Sequence, residues 1–308
     1  MDATVRTSII MGMVFALSQL GALVMAAMFL GSEDQLFEDP NDPLIPLYYI
    51  AAVILFTVAI LYIIKKHREN LVRVIFLGAV VYTIFFVFWI MLTGIMDGLL
   101  ALILSVAVTA IMTYYLAKKP EWYVVDAAGV IMSIGVIGIF GISLGILPVL
   151  VLLIVLAAYD AVAVYGTKHM VSLADGVTQM RLPILLVIPK KKGYSYLEQK
   201  PLKQQLDEGG ERDAMFMGLG DIIIPGVLIT SAFSFLPQTD FGGLTGNLVV
   251  SMGTLLGSLL GFALLMRFVL TGNPQAGLPL LNGGAIAGYI VTYLIVFQSF
   301  SLGISLPW

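Results

Sequence analysis

Long apolar stretches alternate with short polar breaks along nearly the whole chain. About 20 apolar residues in a row are enough for a helix to cross the hydrocarbon core of a bilayer. The pattern predicts nine transmembrane helices, over residues 7–30, 45–64, 71–93, 97–117, 122–142, 146–166, 214–236, 246–269 and 279–300. The apolar core of the first stretch exceeds the ~7–15 residues of a secretory signal, so we keep it as a helix.

The basic residues fall on one side of these predicted spans. Lys and Arg lie before the first span, after the second and fourth, at the end of the eighth, and throughout the long connection 167–213. The connections in between carry acidic residues and no Lys or Arg. The positive-inside rule therefore predicts a cytoplasmic N-terminus and an external C-terminus. We divide the chain into a six-helix part, 1–166, a cytoplasmic loop, 167–213, and a three-helix part, 214–308.

Composition agrees with an all-α polytopic membrane protein. Of the 308 residues, 59% are hydrophobic and 11% are charged, whereas a soluble domain carries about 25% charged residues. The chain has no cysteine and two histidines. This inventory excludes disulfides, thiolate metal sites and a cysteine nucleophile, and we expect neither a metal nor a cofactor.

Two aspartates interrupt the predicted spans. Asp160 lies in the sixth span and Asp221 in the seventh, each predicted six or seven residues from the cytoplasmic end of its helix, or about 10 Å. An ionisable side chain inside a bilayer costs roughly 2.5–3.5 kcal/mol on insertion scales, so both residues are candidates for a functional site. Because the two helices are consecutive and antiparallel, equal depth would let the carboxylates face each other.

Two carboxylates in contact have two chemical interpretations. They can share one proton as in aspartic proteases, where the ionised member takes a proton from water and the protonated member polarises the scissile carbonyl. A hydrogen-bonded structural pair or a proton relay uses the same residue types. Depth and pairing alone favour neither interpretation.

Glycine and proline residues accompany the aspartates. Gly218 and Gly220 are predicted to bare one stripe of the helix beside Asp221, which lets another backbone approach, and Pro225 is predicted to weaken that helix. Pro279, at the start of the ninth span, predicts an irregular backbone at Leu278, although a proline there is more often a first-turn residue of a helix. An unwound substrate would need such access.

These residues resemble three motifs of the presenilin and signal peptide peptidase family. Tyr159-Asp160 is similar to the YD motif, Gly218-Leu219-Gly220-Asp221 to the GxGD motif, and Pro279-Leu280-Leu281 to the PAL motif, with Leu280 in place of alanine. The motif order, the nine spans and the long loop also agree, and the orientation resembles presenilin. The resemblance implies a presenilin-like fold and an intramembrane aspartyl endopeptidase. It also implies that Asp160 and Asp221 are catalytic and that 279–281 shapes the site.

The resemblance also implies partners and location. Family members cleave within single-pass transmembrane helices, so single-pass proteins or peptides are the expected substrates, in contact with membrane lipid. The compact chain is typical of a microbial, archaeal homologue, which implies a multi-pass protein of the cell membrane. We expect no obligatory subunit and no nucleic-acid partner, and homo-oligomerisation stays open.

The cytoplasmic loop contains a short apolar run between two prolines. Its length suits a strand, and it could simply pack on the helix ends. A sharper hypothesis is that the run pairs with the unwound substrate by β-augmentation. This candidate substrate strand comprises Ile184, Leu185, Leu186, Val187 and Ile188.

Other polar and small residues have structural interpretations. Asp126 lies some five residues inside the fifth span, where we expect its side chain to reach the helix end. Gly253, Gly257 and Gly261 recur at a spacing of four and predict close helix packing. We assign a structural role to Asp126 and to these glycines.

Rival functions are separated by the residue inventory. There is no His-Glu-x-x-His and no Gly-x-Ser-x-Gly, so zinc and serine intramembrane proteases are excluded. The alternative that stays open is a proton- or cation-coupled transporter, or a cation-leak channel, that uses the two aspartates as a relay.

Overall fold

The protein is described from a computed structural model, which covers residues 3–29, 37, 39–66, 69–167, 183–191, 193–198, 213–270 and 275–304. Within these ranges lie nine α-helices: α1 Ala3–Met28, α2 Ile45–Lys65, α3 Glu69–Thr93, α4 Gly98–Lys118, α5 Trp122–Ser143, α6 Ile146–Val162, α7 Leu219–Phe235, α8 Gly246–Leu270 and α9 Gly277–Phe297.

The helices confirm a polytopic helical membrane protein. Seven of those described are long and apolar enough to cross a membrane. The remaining two, α2 and α7, contribute the shorter apolar stretches Ile45–Ile60 and Leu219–Phe235. The nine crossings and the orientation of the termini stay predictions.

Two small antiparallel sheets and a π-helical turn complete the described elements. Strand β1, Leu185–Pro189, pairs with β2, Ala214–Gly218, and β3, Asp240–Phe241, pairs with β4, Leu244–Thr245. The strand predicted at 184–188 is therefore confirmed, shifted by one residue. The π-helical turn, Ala163–Thr167, follows α6 directly.

The predicted start of the seventh span at residue 214 is wrong. Residues 214–218 form β2, and α7 begins at Leu219. The Leu219 N–H donates to the Ile184 carbonyl at 2.9 Å, which extends the β1–β2 pairing to the first residue of the helix. Since these amides are satisfied across the sheet, they do not need a helical turn. Gly218 and Gly220 consequently do not share a helix stripe.

The described residues divide into two compact units. The first takes in the described parts of Met1–Met11, Tyr48–Gly135 and His169–Leu219, and the second those of Gly12–Leu47, Val136–Lys168 and Gly220–Trp308. The core of the first unit joins α3, α4 and α5 to the sheet, through Val80, Ile84, Leu116, Val124, Val125, Ala128, Val187, Tyr196 and Ala214.

The core of the second unit joins α6, α7, α8 and α9. Its buried members include Val149, Leu153, Leu228, Val250, Ala285 and Tyr289. The predicted glycine ridge of α8 is confirmed as a packing surface, because a Cβ added at Gly257 would meet the Gly284 carbonyl and the Gly288 Cα of α9. Such close backbone approach is how helices pack where there is no hydrophobic driving force.

The expectation that Asp126 reaches the end of its helix is wrong. Its side chain is buried in the first unit and accepts a hydrogen bond from the Val187 N–H of β1 at 2.7 Å. Glu121, near the start of the same helix, accepts from Ser195 and from the Tyr196 N–H. Helix α5 thus anchors the described parts of the loop between α6 and α7.

Candidate active site

Asp160 lies near the end of α6, in the second unit, and its side chain is buried. The α-helix changes to the π-helical turn just beyond it. The Ala163 N–H still bonds to the carbonyls of Tyr159 and Asp160, as at the end of an α-helix, and the π-helical turn occupies Ala163–Thr167. π-helical turns are rare, and they occur frequently at functional sites.

Asp221 is the third residue of α7, in the same unit. It therefore lies two residues from the start of its helix, and the predicted six or seven is wrong because β2 replaces the first helical turn. Pro225 lies inside α7, and the helix continues past it to Phe235. Since proline has no N–H, Pro225 cannot donate to the Asp221 carbonyl as a helical residue would.

The first turn of α9 contacts both aspartates. The Leu278 N–H donates to the Asp160 Oδ2 at 3.0 Å, and the Gly277 N–H is a second donor toward the same carboxylate. A Cβ added at Gly277 would lie 3.2 Å from the Asp221 Oδ1 and 3.4 Å from its Oδ2. The two carboxylates therefore lie at the same helix end.

This helix end is suited to carboxylates. The first-turn N–H groups of a helix lack internal partners, and the helix dipole is positive there. The N-cap residue, Ala276, makes no side-chain cap, so Asp160 does from another helix what a capping side chain usually does. The irregular backbone predicted at Leu278 is not found, because the helix already begins at Gly277 and proline is tolerated in a first turn.

Two further contacts hold α9 in place. The Asn282 Nδ2 donates to the Leu153 carbonyl of α6 at 2.9 Å, and Asn282 is buried. A Cβ added at Gly261 of α8 would meet the Leu280 carbonyl and the Leu281 Cα. The predicted segment 279–281 thus packs its backbone on α8 and sets the depth of the helix start.

Helix α7 is held beside Asp221 by a buried glutamine of α1. The Gln19 Nε2 donates to the Ile222 carbonyl at 2.8 Å. A Cβ added at Gly226 would collide with the end of the Gln19 side chain, so Gln19 would have to move if Gly226 were replaced. Sequence reasoning missed Gln19, although a lone glutamine amid apolar residues of a span was a usable signal.

The structure does not bring every predicted site residue to the aspartates. The Tyr159 ring is exposed, and Leu219 is buried against Gly129 in the first unit. Gly220 is exposed, and a Cβ added there would meet nothing within 4 Å. Within the described ranges, no three His, Cys, Asp or Glu side chains cluster as metal ligands would.

Comparison with known proteins identifies the family. The family described as "Signal-peptide peptidase, presenilin aspartyl protease" matches residues 12–298. No curated protein matches the chain.

Two solved structures of a presenilin family intramembrane aspartate protease are similar to it. The one in space group C222 has 31% identity and a TM-score of 0.70, and the match covers 94% of this chain and 99% of that one. The one in space group P2 has 32% identity and a TM-score of 0.62, with 92% and 96% covered. The chain belongs to the signal-peptide peptidase and presenilin family of intramembrane aspartyl proteases.

Proposed function

We propose that this protease uses Asp160 and Asp221 as a catalytic pair to hydrolyse peptide bonds within single-pass transmembrane helices. The observation that carries the proposal is the first turn of α9. Its Leu278 N–H bonds to one carboxylate, and its Gly277 lies against the other. An arrangement that holds two carboxylates at one helix end suits the shared-proton chemistry of aspartic proteases.

The reaction needs one water molecule and one proton shared by the pair. The ionised carboxylate takes a proton from water while the protonated carboxylate donates to the scissile carbonyl oxygen. The water oxygen bonds to the carbonyl carbon and forms a tetrahedral diol. When the C–N bond breaks, the protonated carboxyl gives its proton to the leaving nitrogen and the ionised carboxylate takes a proton from a diol hydroxyl, so the pair again holds one proton.

Gly220 supports access for a substrate. The space where its Cβ would lie is open, and the residue is exposed one position before Asp221. A substrate must unwind and expose its amide before water can attack, and a bare helix face leaves room for that backbone.

The sheet supports a refined version of the substrate-strand hypothesis. The bonds Leu219 N–H to Ile184 and Lys190 N–H to Asp213 show which residues of β1 and β2 face each other as hydrogen-bonded pairs. In an antiparallel ladder such pairs alternate with pairs whose N–H and C=O groups point outward. Val187 and Phe216 form an outward pair by this alternation.

The outer edge of β1 is already occupied. The outward N–H of Val187 bonds to Asp126, and the Pro189 carbonyl accepts from the Thr7 hydroxyl at 3.5 Å. On the outer edge of β2, no described residue hydrogen-bonds to the backbone of Phe216. We infer that 184–188 supports β2, and that a substrate strand adds to β2, which continues directly into the helix of Asp221.

A backbone methylation scan tests this strand addition. One N-methyl group is moved along the residues of a synthetic substrate next to the cleaved bond. Pairing with a strand edge uses every second N–H of the substrate. The cleavage rate should therefore be lower when the N-methyl group is on one of these alternate residues, and unchanged when it is on a residue between them. A matched series carries the methyl group on the side chain instead. Equal sensitivity at successive positions would refute pairing at the β2 edge.

Reconstitution tests the proteolytic function itself. The purified protein in liposomes with a single-pass substrate should yield two fragments, and mass spectrometry should locate the cut inside the transmembrane segment. Proton flux without fragments would instead favour the transporter. Neither the family match nor the two similar structures support a transporter or a channel.

A further inference from the structure

A tyrosine beyond Asp160 reaches the residues just before α9. The Tyr165 hydroxyl donates to the Gln275 Oε1 at 2.9 Å and accepts a longer bond, 3.5 Å, from the Ala276 N–H. Gln275 and Ala276 are the two described residues that precede the helix. We call these three residues the Tyr165 latch.

The π-helical turn explains how Tyr165 reaches this segment. In an α-helix of 3.6 residues per turn, the residue five positions after Asp160 would lie on another side of the helix. The π-helical turn begins at Ala163, between Asp160 and Tyr165, and because it is wider than an α-helical turn it changes the side of the helix on which Tyr165 lies. Accordingly Asp160 and Tyr165 both bond to the stretch 275–278.

The latch lies next to the helix end at which both aspartates lie. Asn282 and the glycine ridge hold α9 from its second turn onward. On the other side of Gly277, the described hydrogen bonds that hold residues 275 and 276 are those of the latch. Ala276 provides no side-chain cap, so the position of the Gly277 and Leu278 amides depends on contacts from other helices.

We propose that Tyr165 is a positioning residue, which holds the start of α9 through Gln275 and Ala276 so that its first-turn amides stay on the aspartate pair. The latch rests on the catalytic pair proposed above and goes beyond it. Tyr165 lies outside the three motifs that carry the family resemblance. Its effect on the reaction passes through Gly277 and Leu278.

The variant Tyr165→Phe removes only the hydroxyl. The ring is 58% exposed, so the change leaves no buried gap. We expect kcat per active site to fall roughly three- to tenfold, the range that a lost hydrogen bond gives, while KM stays within twofold. The matched control is Tyr82→Phe on α3, whose ring is 68% exposed and whose kcat should not change.

Active-site titration separates positioning from folding. A tight-binding transition-state analogue counts the competent sites in each preparation. If Tyr165→Phe only lowered the folded fraction, the titre would fall and kcat per titrated site would equal that of the wild type. Positioning predicts an unchanged titre, a lower kcat per site, and a matching loss of affinity for the analogue.

The partner residue provides a double-mutant cycle. Gln275→Ala removes one of the two bonds, so its kcat should fall less than that of Tyr165→Phe. The double variant should be no slower than Tyr165→Phe alone, since both changes break the same contact. Additive losses would mean that the two residues act separately, and would overturn the latch.

The latch and the catalytic pair fail in different ways. If Asp160→Asn and Asp221→Asn abolish cleavage while Tyr165→Phe has the wild-type kcat per titrated site, the latch alone is refuted. If either aspartate variant still cleaves, the pair is refuted whatever the tyrosine does. All measurements use the full-length protein in liposomes of one lipid composition.

Discussion

Asp160 and Asp126 are two buried carboxylates with similar hydrogen bonds and different neighbours. Asp160, in the second unit, accepts a backbone N–H from Leu278 at 3.0 Å, and Asp126, in the first unit, accepts one from Val187 at 2.7 Å. Both side chains are buried, in helices that are apolar and long enough to span a membrane. Burial and a single backbone donor therefore do not distinguish the two residues.

The two carboxylates differ in the element that supplies the N–H donor. The donor to Asp160 is the first turn of α9, which also touches Asp221. The donor to Asp126 is a strand, whose outer edge the carboxylate closes. An intramembrane carboxylate is a functional hypothesis by default. In the pair we propose, the second carboxylate provides Asp160 with a partner for acid–base chemistry, whereas Asp126 accepts a hydrogen bond from the sheet.

The largest effect is expected when the same substitution, Asp to Asn, is made at Asp160 and at Asp126. Asp160→Asn should lower cleavage by about a thousandfold or more, because an amide cannot exchange the proton that the reaction needs. Asp126→Asn should keep cleavage within about threefold of the wild type, since its amide oxygen can still accept the Val187 N–H. Fragment yields from a reconstituted substrate measure both. Similar losses in the two variants would break the comparison.

A second substitution tests the structural role of Asp126. Asp126→Leu leaves the buried Val187 N–H without its acceptor, which should lower the free energy of unfolding by about 1–3 kcal/mol. Thermal unfolding in detergent or lipid, with Asp126→Asn as the matched control, measures the loss. Equal stability of the leucine and asparagine variants would show that the bond to β1 contributes nothing.

Gly277 and Gly220 sharpen the account of the Asp160 side. Gly277→Ala places a Cβ 3.2 Å from the Asp221 Oδ1, which is closer than an ordinary van der Waals contact. The carboxylate must then shift by a few tenths of an ångström, which should lower kcat about tenfold. In Gly220→Ala the added Cβ has open space around it, and alanine favours the helix over glycine by about 0.5–1 kcal/mol. It should keep its stability and raise KM if substrate needs that space. Steady-state kinetics distinguish the two outcomes, and an unchanged kcat in Gly277→Ala would contradict the contact with Asp221.

The smallest effect is expected where α9 is held away from the aspartates. Asn282→Leu removes the bond to the Leu153 carbonyl, and interhelical bonds of this kind contribute about 0.6 kcal/mol in membranes. Unfolding measurements should show a loss of that order, and kcat should fall less than in Gly277→Ala. A larger kcat loss than in Gly277→Ala would move the decisive contact of α9 from its first turn to its second.

The polytopic helical fold and the proposed pair of aspartates were predictable because they depend on local patterns. Apolar length identified the helices that the structure contains. The motifs around Asp160 and Asp221 occupy a few adjacent residues each, so a single sequence displays them.

The elements that sequence reasoning missed depend on distant partners. Residues 214–218 are apolar enough to be taken for the first turn of a transmembrane helix, and it is their pairing with β1 that makes them a strand. Asp126 hydrogen-bonds to Val187, a strand residue 61 positions further along the chain. Tyr165 is one exposed aromatic among many, and its role became visible only with the π-helical turn and the start of α9 in place.

A structure of the protein with a hydroxyl-bearing transition-state analogue tests the central claim most directly. We predict that the hydroxyl lies within hydrogen-bond distance, about 2.6–3.2 Å, of both Asp160 and Asp221, with the first turn of α9 still donating to Asp160. An analogue that contacts only one of these carboxylates, or that binds at Asp126, would contradict the assignment of the pair.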